Sequence, residues 1–123
     1  MRWVVDGLNV IGSRPDGWWR DRRAAVRRLV AALDEFAAQR GDSVTLFLDG
    51  RPFPLTPGGV DVHFAPGGRN AADDALVQWL SEQPPPQRDG LRAVTSDATL
   101  AARIGALGVP VDGARGFREA LER

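Results

Sequence analysis

The chain has no cysteine, no tyrosine, no lysine and a single histidine, His63, among its 123 residues. Without cysteine there is no disulfide framework, no thiolate zinc site and no thiol nucleophile. One histidine and no tyrosine cannot supply a catalytic histidine pair or a tyrosine nucleophile within one chain. The missing lysine also removes the phosphate-loop signature, so Gly67-Gly68 ahead of a helix reads as a turn; Gly7 and Gly12 do not form Gly-x-Gly-x-x-Gly either. No long hydrophobic run is present. The opening MRWVVDGLNV reaches an aspartate too early for a signal peptide or a membrane span, and a cytoplasmic protein is expected. The length and the 43% hydrophobic content suit one compact domain, residues 1–123, with no room for a second.

Aspartate and arginine are plentiful. Net charge is zero, yet all 16 basic residues are arginine, and Arg14, Arg20, Arg22, Arg23, Arg27 and Arg28 crowd into one stretch beside Trp18 and Trp19. A guanidinium grips phosphate in two places and an indole offers a face to an unpaired base, so this stretch is a candidate RNA grip. The plainer reading is a solvated basic helix face. Trp3 and Trp79, by contrast, have the strand and helix-face placement of core residues.

Arg2–Val5 reads as a buried strand ending at Asp6-Gly7, and Val44–Leu48 repeats the design up to Asp49-Gly50. Between them, Val26, Leu29, Val30, Leu33 and Phe36 or Ala37 recur at helical spacing over Asp21–Gln39, with Gly41 where a helix would stop. Arg51–Gly59 is a proline-rich loop before the alternating edge strand Val60–Phe64, on which His63 is expected to be exposed. Asn70 is a candidate cap for a helix over Ala71–Gln83, which Pro84-Pro85-Pro86 ends. Leu91–Thr95 reads as a fourth strand, Asp97–Leu107 as a helix, Val109–Val111 as a short strand and Gly116–Arg123 as a last helix. Strands alternating with helices predict a three-layer α/β domain, its mostly parallel sheet ordered 3-2-1-4-5 and flanked by helices on both faces.

Ligands of such sheets sit at the carboxyl ends of the strands. Asp6, Asp49 and Asp97 fall at or just beyond three of those ends, and Asp73 and Asp74 open the helix before the fourth strand. In the expected order these strands are neighbours, so the carboxylates share one crevice, with Asn9 reaching in from the first loop. Taken singly, each aspartate suits a turn, an N-cap or the positive end of a helix dipole. Gathered together they would repel unless protons or a cation neutralised them, and an all-oxygen carboxylate cluster suits Mg²⁺ or Mn²⁺.

Asp6-Gly7-Leu8-Asn9-Val10-Ile11, Phe47-Leu48-Asp49-Gly50, Asn70-Ala71-Ala72-Asp73-Asp74 and Thr95-Ser96-Asp97 together resemble the NYN-domain, YacP-like ribonucleases of the PIN-like superfamily, in order and spacing over nearly the whole chain. The resemblance implies a PIN-like fold and Mg²⁺- or Mn²⁺-dependent hydrolysis of RNA. It matches Asp6, Asp73 and Asp97 to the family's metal-binding acids, Asn9 to its signature asparagine, and Thr95 with Ser96 to its polar strand end; Asp49 is a less decisive acid, and Asp74 competes with Asp73. Arg14, Arg51 or Arg69, all in loops expected to border the crevice, would position the RNA backbone, with Trp18 and Trp19 as candidates for stacking on bases and Ser96 as a further candidate substrate contact. A receiver-type phosphoacceptor domain would place a lysine near its acids, and a haloacid-dehalogenase-like phosphatase would have Asp-x-Asp where Asp6 is followed by Gly7. The alternative of another class is a non-catalytic PIN-like module that binds RNA or a protein.

Overall fold

The computed structural model describes residues 1–68 and 70–123. Among them, five strands, β1 (Arg2–Asp6), β2 (Ser43–Asp49), β3 (Asp61–Ala65), β4 (Leu91–Val94) and β5 (Val111–Asp112), alternate with six α-helices. The helices are α1 (Gly7–Gly12), α2 (Arg22–Arg40), α3 (Ala71–Glu82), α4 (Pro85–Arg88), α5 (Ala98–Gly105) and α6 (Ala114–Leu121), and a short 3-10 turn spans Trp18–Asp21. All strand pairs are parallel and their order is β3-β2-β1-β4-β5, as the sequence predicts. No helix among the described residues is long and apolar enough to cross a membrane.

Side chains alternate across a strand, and this period of two builds two separate cores. Trp3, Val5, Leu46 and Leu48 face one way and pack with Val10 and Ile11 of α1, the apolar stripe of α2 and Phe117 of α6. Val4, Phe47 and Ala93 face the other way, under Leu76 and Leu80 of α3 and Leu100 and Ile104 of α5. By the same alternation Asp6 shares the side of Val4, and Asp49 that of Phe47. Both carboxylates are therefore directed toward the layer formed by α3 and α5.

α2 is the amphipathic helix of the sequence reading. Asp21 Oδ1 accepts the Ala24 N–H at 3.1 Å to cap its start, and Gly41, at φ 67°, closes its end. Phe36, not Ala37, is the buried residue, set edge-on against Trp3 at 5.6 Å. Midway along α2, Asp34 accepts three successive main-chain N–H groups, from Gly58 (2.7 Å), Gly59 (3.0 Å) and Val60 (3.0 Å). Burial works against its charge, but the three amides prevail and hold its carboxyl below the usual range.

Several local expectations need correction. Asp6-Gly7 begins a helix, α1, instead of a simple turn, and α4 starts at Pro85, because proline is well placed in a first helical turn. Asn70 is in the left-handed region (φ 67°) and its side chain makes no cap bond; Asp49 Oδ1 accepts the Ala72 N–H at 3.1 Å instead. The last strand covers Val111–Asp112, with Val109 buried in the core ahead of it, and α6 begins at Ala114.

Candidate active site

Asp6 is the deepest of the acids, 7% exposed where β1 passes into α1. Its Oδ2 accepts a hydrogen bond from Thr95 Oγ1 at 2.9 Å, and Thr95, 2% exposed, accepts the Asp97 N–H on the same oxygen at 3.1 Å. One hydroxyl thus ties the end of β1 to the start of α5. Burial pushes the Asp6 carboxyl up from 3.8 to about 6, with Asp73 and Asp49 adding repulsion. The Thr95 hydroxyl and the nearby main-chain N–H of Asn9 pull the other way.

The first turn of α3 supplies Asp73 and Asp74, which the structure treats differently. Asp73 is half-buried and its carboxyl is raised, by burial first and then by Asp97 and Asp49. Asp74 is exposed and its Oδ1 accepts from Arg103 Nη1 of α5 at 2.8 Å. Asp73 therefore belongs electrostatically with Asp6, Asp49 and Asp97, while Asp74 serves the contact between α3 and α5. Asp97 is exposed and caps α5, its Oδ1 accepting the Leu100 N–H at 2.8 Å. Among the described residues no three acidic or histidine side chains converge closely enough to form a ready-made metal site.

The remaining residues divide between this cleft and other places. Asn9 Oδ1 accepts the Ser96 N–H at 2.7 Å, holding α1 against the end of β4. Ser96 Oγ accepts the Ala114 N–H at 2.8 Å, so its hydroxyl fastens the start of α6. Arg51 is exposed, two residues after Asp49 in sequence; Arg69 lies outside the described residues. Arg14 is not at the acidic crevice: it pairs with Asp16 and Glu122 on the other side of the sheet. Trp18 is half-buried against the core beneath α2 and lines a cavity there, whereas Trp19 is 62% exposed, with Arg20 over its ring at 5.8 Å. His63 is half-buried, hydrogen-bonded to Asp61 and stacked on Phe47.

Arg22, named in the sequence only as part of the arginine-rich stretch, donates from Nη2 to the Asp49 carbonyl and ties the start of α2 to the end of β2; Arg103, not singled out from the sequence, neutralises Asp74. Arg103 lies in the last turn of α5, one helix length from Asp97, and that spacing is a signal only once α3 is known to pack on α5.

What the fold and cleft define is a three-layer α/β domain with buried and half-buried carboxylates at the carboxyl edge of its central strands. No family model matches the chain, and no curated protein matches it. Among solved structures it is similar to Rae1 (YacP) from Bacillus subtilis, with 25% identity and a TM-score of 0.74 over 99% of this chain and 74% of that one. A single-substitution mutant of the same protein gives 23% identity and a TM-score of 0.80, over 99% and 77% of the two chains. The fold is YacP-like.

Proposed function

We propose that this chain is a PIN-like, NYN-domain ribonuclease that hydrolyses phosphodiester bonds of single-stranded RNA with Mg²⁺ or Mn²⁺ held by Asp6, Asp73 and Asp97. The observation that carries the reading is the buried Asp6 carboxyl, pushed up to about 6 where Asp49 and Asp73 add repulsion. A structural turn gains nothing from a carboxylate buried among like charges, whereas a bound cation turns the same repulsion into affinity. The donor set is all oxygen, which suits a hard cation. Asp6 and Asp97 each spend one carboxylate oxygen on the fold and keep the other. Since no three of these groups converge beforehand, binding has to draw them together.

When bound, the cation would supply charge neutralisation and activation of a water for attack on the phosphorus. The chain's own residues do the positioning. Thr95 fixes the Asp6 rotamer, Asn9 fixes the start of α1 against Ser96, and Asp49 buttresses the first turn of α3 so that Asp73 stays turned to the cleft. Arg51, exposed two residues after Asp49, is the candidate to hold a flanking phosphate. No histidine base is required.

Incubating the pure protein with labelled single-stranded RNA is expected to give products with Mn²⁺ or Mg²⁺ and none with chelator. That no ready-made metal site forms among the described residues favours one competing reading, a module that binds RNA or protein without cutting. RNA that binds but stays whole in every metal would establish that module instead.

Thr95→Val keeps shape and removes the hydroxyl. It is expected to cost about 1–3 kcal/mol of stability and to lower cleavage roughly 10–100-fold. Because the hydroxyl lowers the Asp6 carboxyl, the pH at which Mn²⁺ binding is lost should also rise. A merely structural Thr95 would leave that pH unmoved.

A further inference from the structure

On the face of the sheet opposite the acids, a cavity of about 240 Å³ opens between α1, α2 and α6. Its floor is apolar, made by Val10, Ile11 and Leu29 with Trp18 at one side, and its rim is cationic, made by Arg14, Arg28 and Arg118 against Asp16 and Glu122. Three guanidinium groups against two carboxylates leave one positive charge in excess. The cavity is small for a drug-sized ligand and suits a single flat ring system.

Two of the arginines converge on one carboxylate. Arg14 pairs with Glu122, and Arg118 Nη1 donates to the same Glu122 at 3.3 Å while its Nε donates to Ser13 Oγ at 2.8 Å. Arg118 is largely buried, with its side chain 18% exposed, whereas Glu122 is 42% exposed. Glu122 thus stands where an anionic ligand would meet a preset pair of guanidinium groups. Arg28 makes no ion pair among the described residues and adds a third donor at the rim.

We propose that this cavity is a subsite for one nucleotide of the RNA strand: the base enters the apolar floor beside Trp18, and its phosphate displaces Glu122 from Arg14 and Arg118 and is also met by Arg28. The inference rests on the RNA reading above. Its link to the acidic cleft is α1, which starts beside Asp6, ends in Val10 and Ile11 of the cavity floor, and with six residues is about 9 Å long. A strand leaving the cleft over α1 arrives at the cavity. A phosphodiester carries one negative charge, as Glu122 does, but its two non-bridging oxygens match the paired fork geometry and it also meets Arg28, so the exchange of Glu122 for phosphate gains a donor.

The test is fluorescence anisotropy of a labelled single-stranded RNA in chelator, where nothing is cut. Ala32→Phe, which fills the cavity from α2, is expected to weaken binding about tenfold or more, the worth of one stacked base. Arg28→Ala, at an exposed position that cannot threaten the fold, should weaken it severalfold and reduce its salt dependence. Glu122→Gln should strengthen binding, an effect no packing defect produces. RNA affinity unchanged in Arg28→Ala and in Glu122→Gln would overturn the subsite, as would a parent protein that does not bind RNA. Cleavage with Mn²⁺ is scored separately: if the parent cuts RNA while the variants bind it normally, the cavity inference fails and the nuclease reading stands.

Discussion

Asp6→Asn is expected to abolish metal-dependent RNA cleavage, by a hundredfold or more, while making the metal-free protein more stable at neutral pH. Losing a ligand should cost at least the ~10–100-fold that loss of an outer-shell partner costs. The stability effect follows from the carboxyl's displacement. Its folded value of about 6 lies above the 3.8 of an unperturbed aspartate, so the protonated form is the one the fold favours. Its contribution to stability is complete below about 3.8 and is lost as pH rises through about 6, a difference of roughly 3 kcal/mol at 1.36 kcal/mol per unit. Asparagine cannot ionise, and its carbonyl can still accept the Thr95 hydroxyl. Parent and variant should thus melt alike near pH 4, and the variant should melt higher at pH 7.5 in chelator. Mn²⁺ should then raise the melting temperature of the parent alone. A variant that cuts RNA at the parental rate, or a parent indifferent to Mn²⁺, would end the metal-nuclease assignment.

Gly7→Ala should be strongly destabilising, although alanine is ordinarily the better helix residue by about 0.5–1 kcal/mol. A Cβ at this position would lie 2.6 Å from Leu48 Cδ2, 2.8 Å from Leu46 Cδ1 and 3.0 Å from the Phe47 carbonyl oxygen. Both leucines are fully buried and the third neighbour is main chain, so none can move cheaply. Overpacking of this kind costs about 1–3 kcal/mol. Relief would come from lifting α1 off β2, which would also draw Asn9 away from the Ser96 N–H. Urea unfolding measures the first effect and the cleavage rate measures the second. A more stable Gly7→Ala protein would show that α1 does not sit this close to the sheet.

Much of this architecture was legible in the residues. The two runs ending in Asp-Gly marked β1 and β2, and parallel pairing brought Asp6, Asp49 and Asp97 to one sheet edge as the order 3-2-1-4-5 requires. The side to which the acids turn was also implicit, since Asp6 and Val4, like Asp49 and Phe47, differ by two positions. What stayed hidden depended on tertiary contact. Leu8, Val10 and Ile11 make too short a run to display a helical period, so α1 read as a turn, and the chain's passage over the sheet edge went unseen. That passage is why Arg14 and Trp18 sit by the cavity beneath α2 and not beside the carboxylates. Asn70 looked like the cap of α3 because Asp49, the residue that performs the task, lies more than twenty positions away in sequence. The choice between Asp73 and Asp74 likewise required Arg103 on a neighbouring helix.

The clamp that Asp34 places on Gly58, Gly59 and Val60 bears on an edge strand with little of its own to keep it in place. Asp61, Val62, His63 and Phe64 are all exposed or half-buried, so the burial pattern of β3 specifies its pairing weakly. A slip of one residue along β2 would turn every side chain of β3 to the opposite face and take His63 off the Phe47 ring. Three hydrogen bonds to consecutive amides immediately before the strand admit only one alignment. The register of the sheet's outer edge is thus pinned from a helix one layer away, and the proline-rich segment adds a second hold, with Phe53 set edge-on against Phe64 of β3 at 5.3 Å.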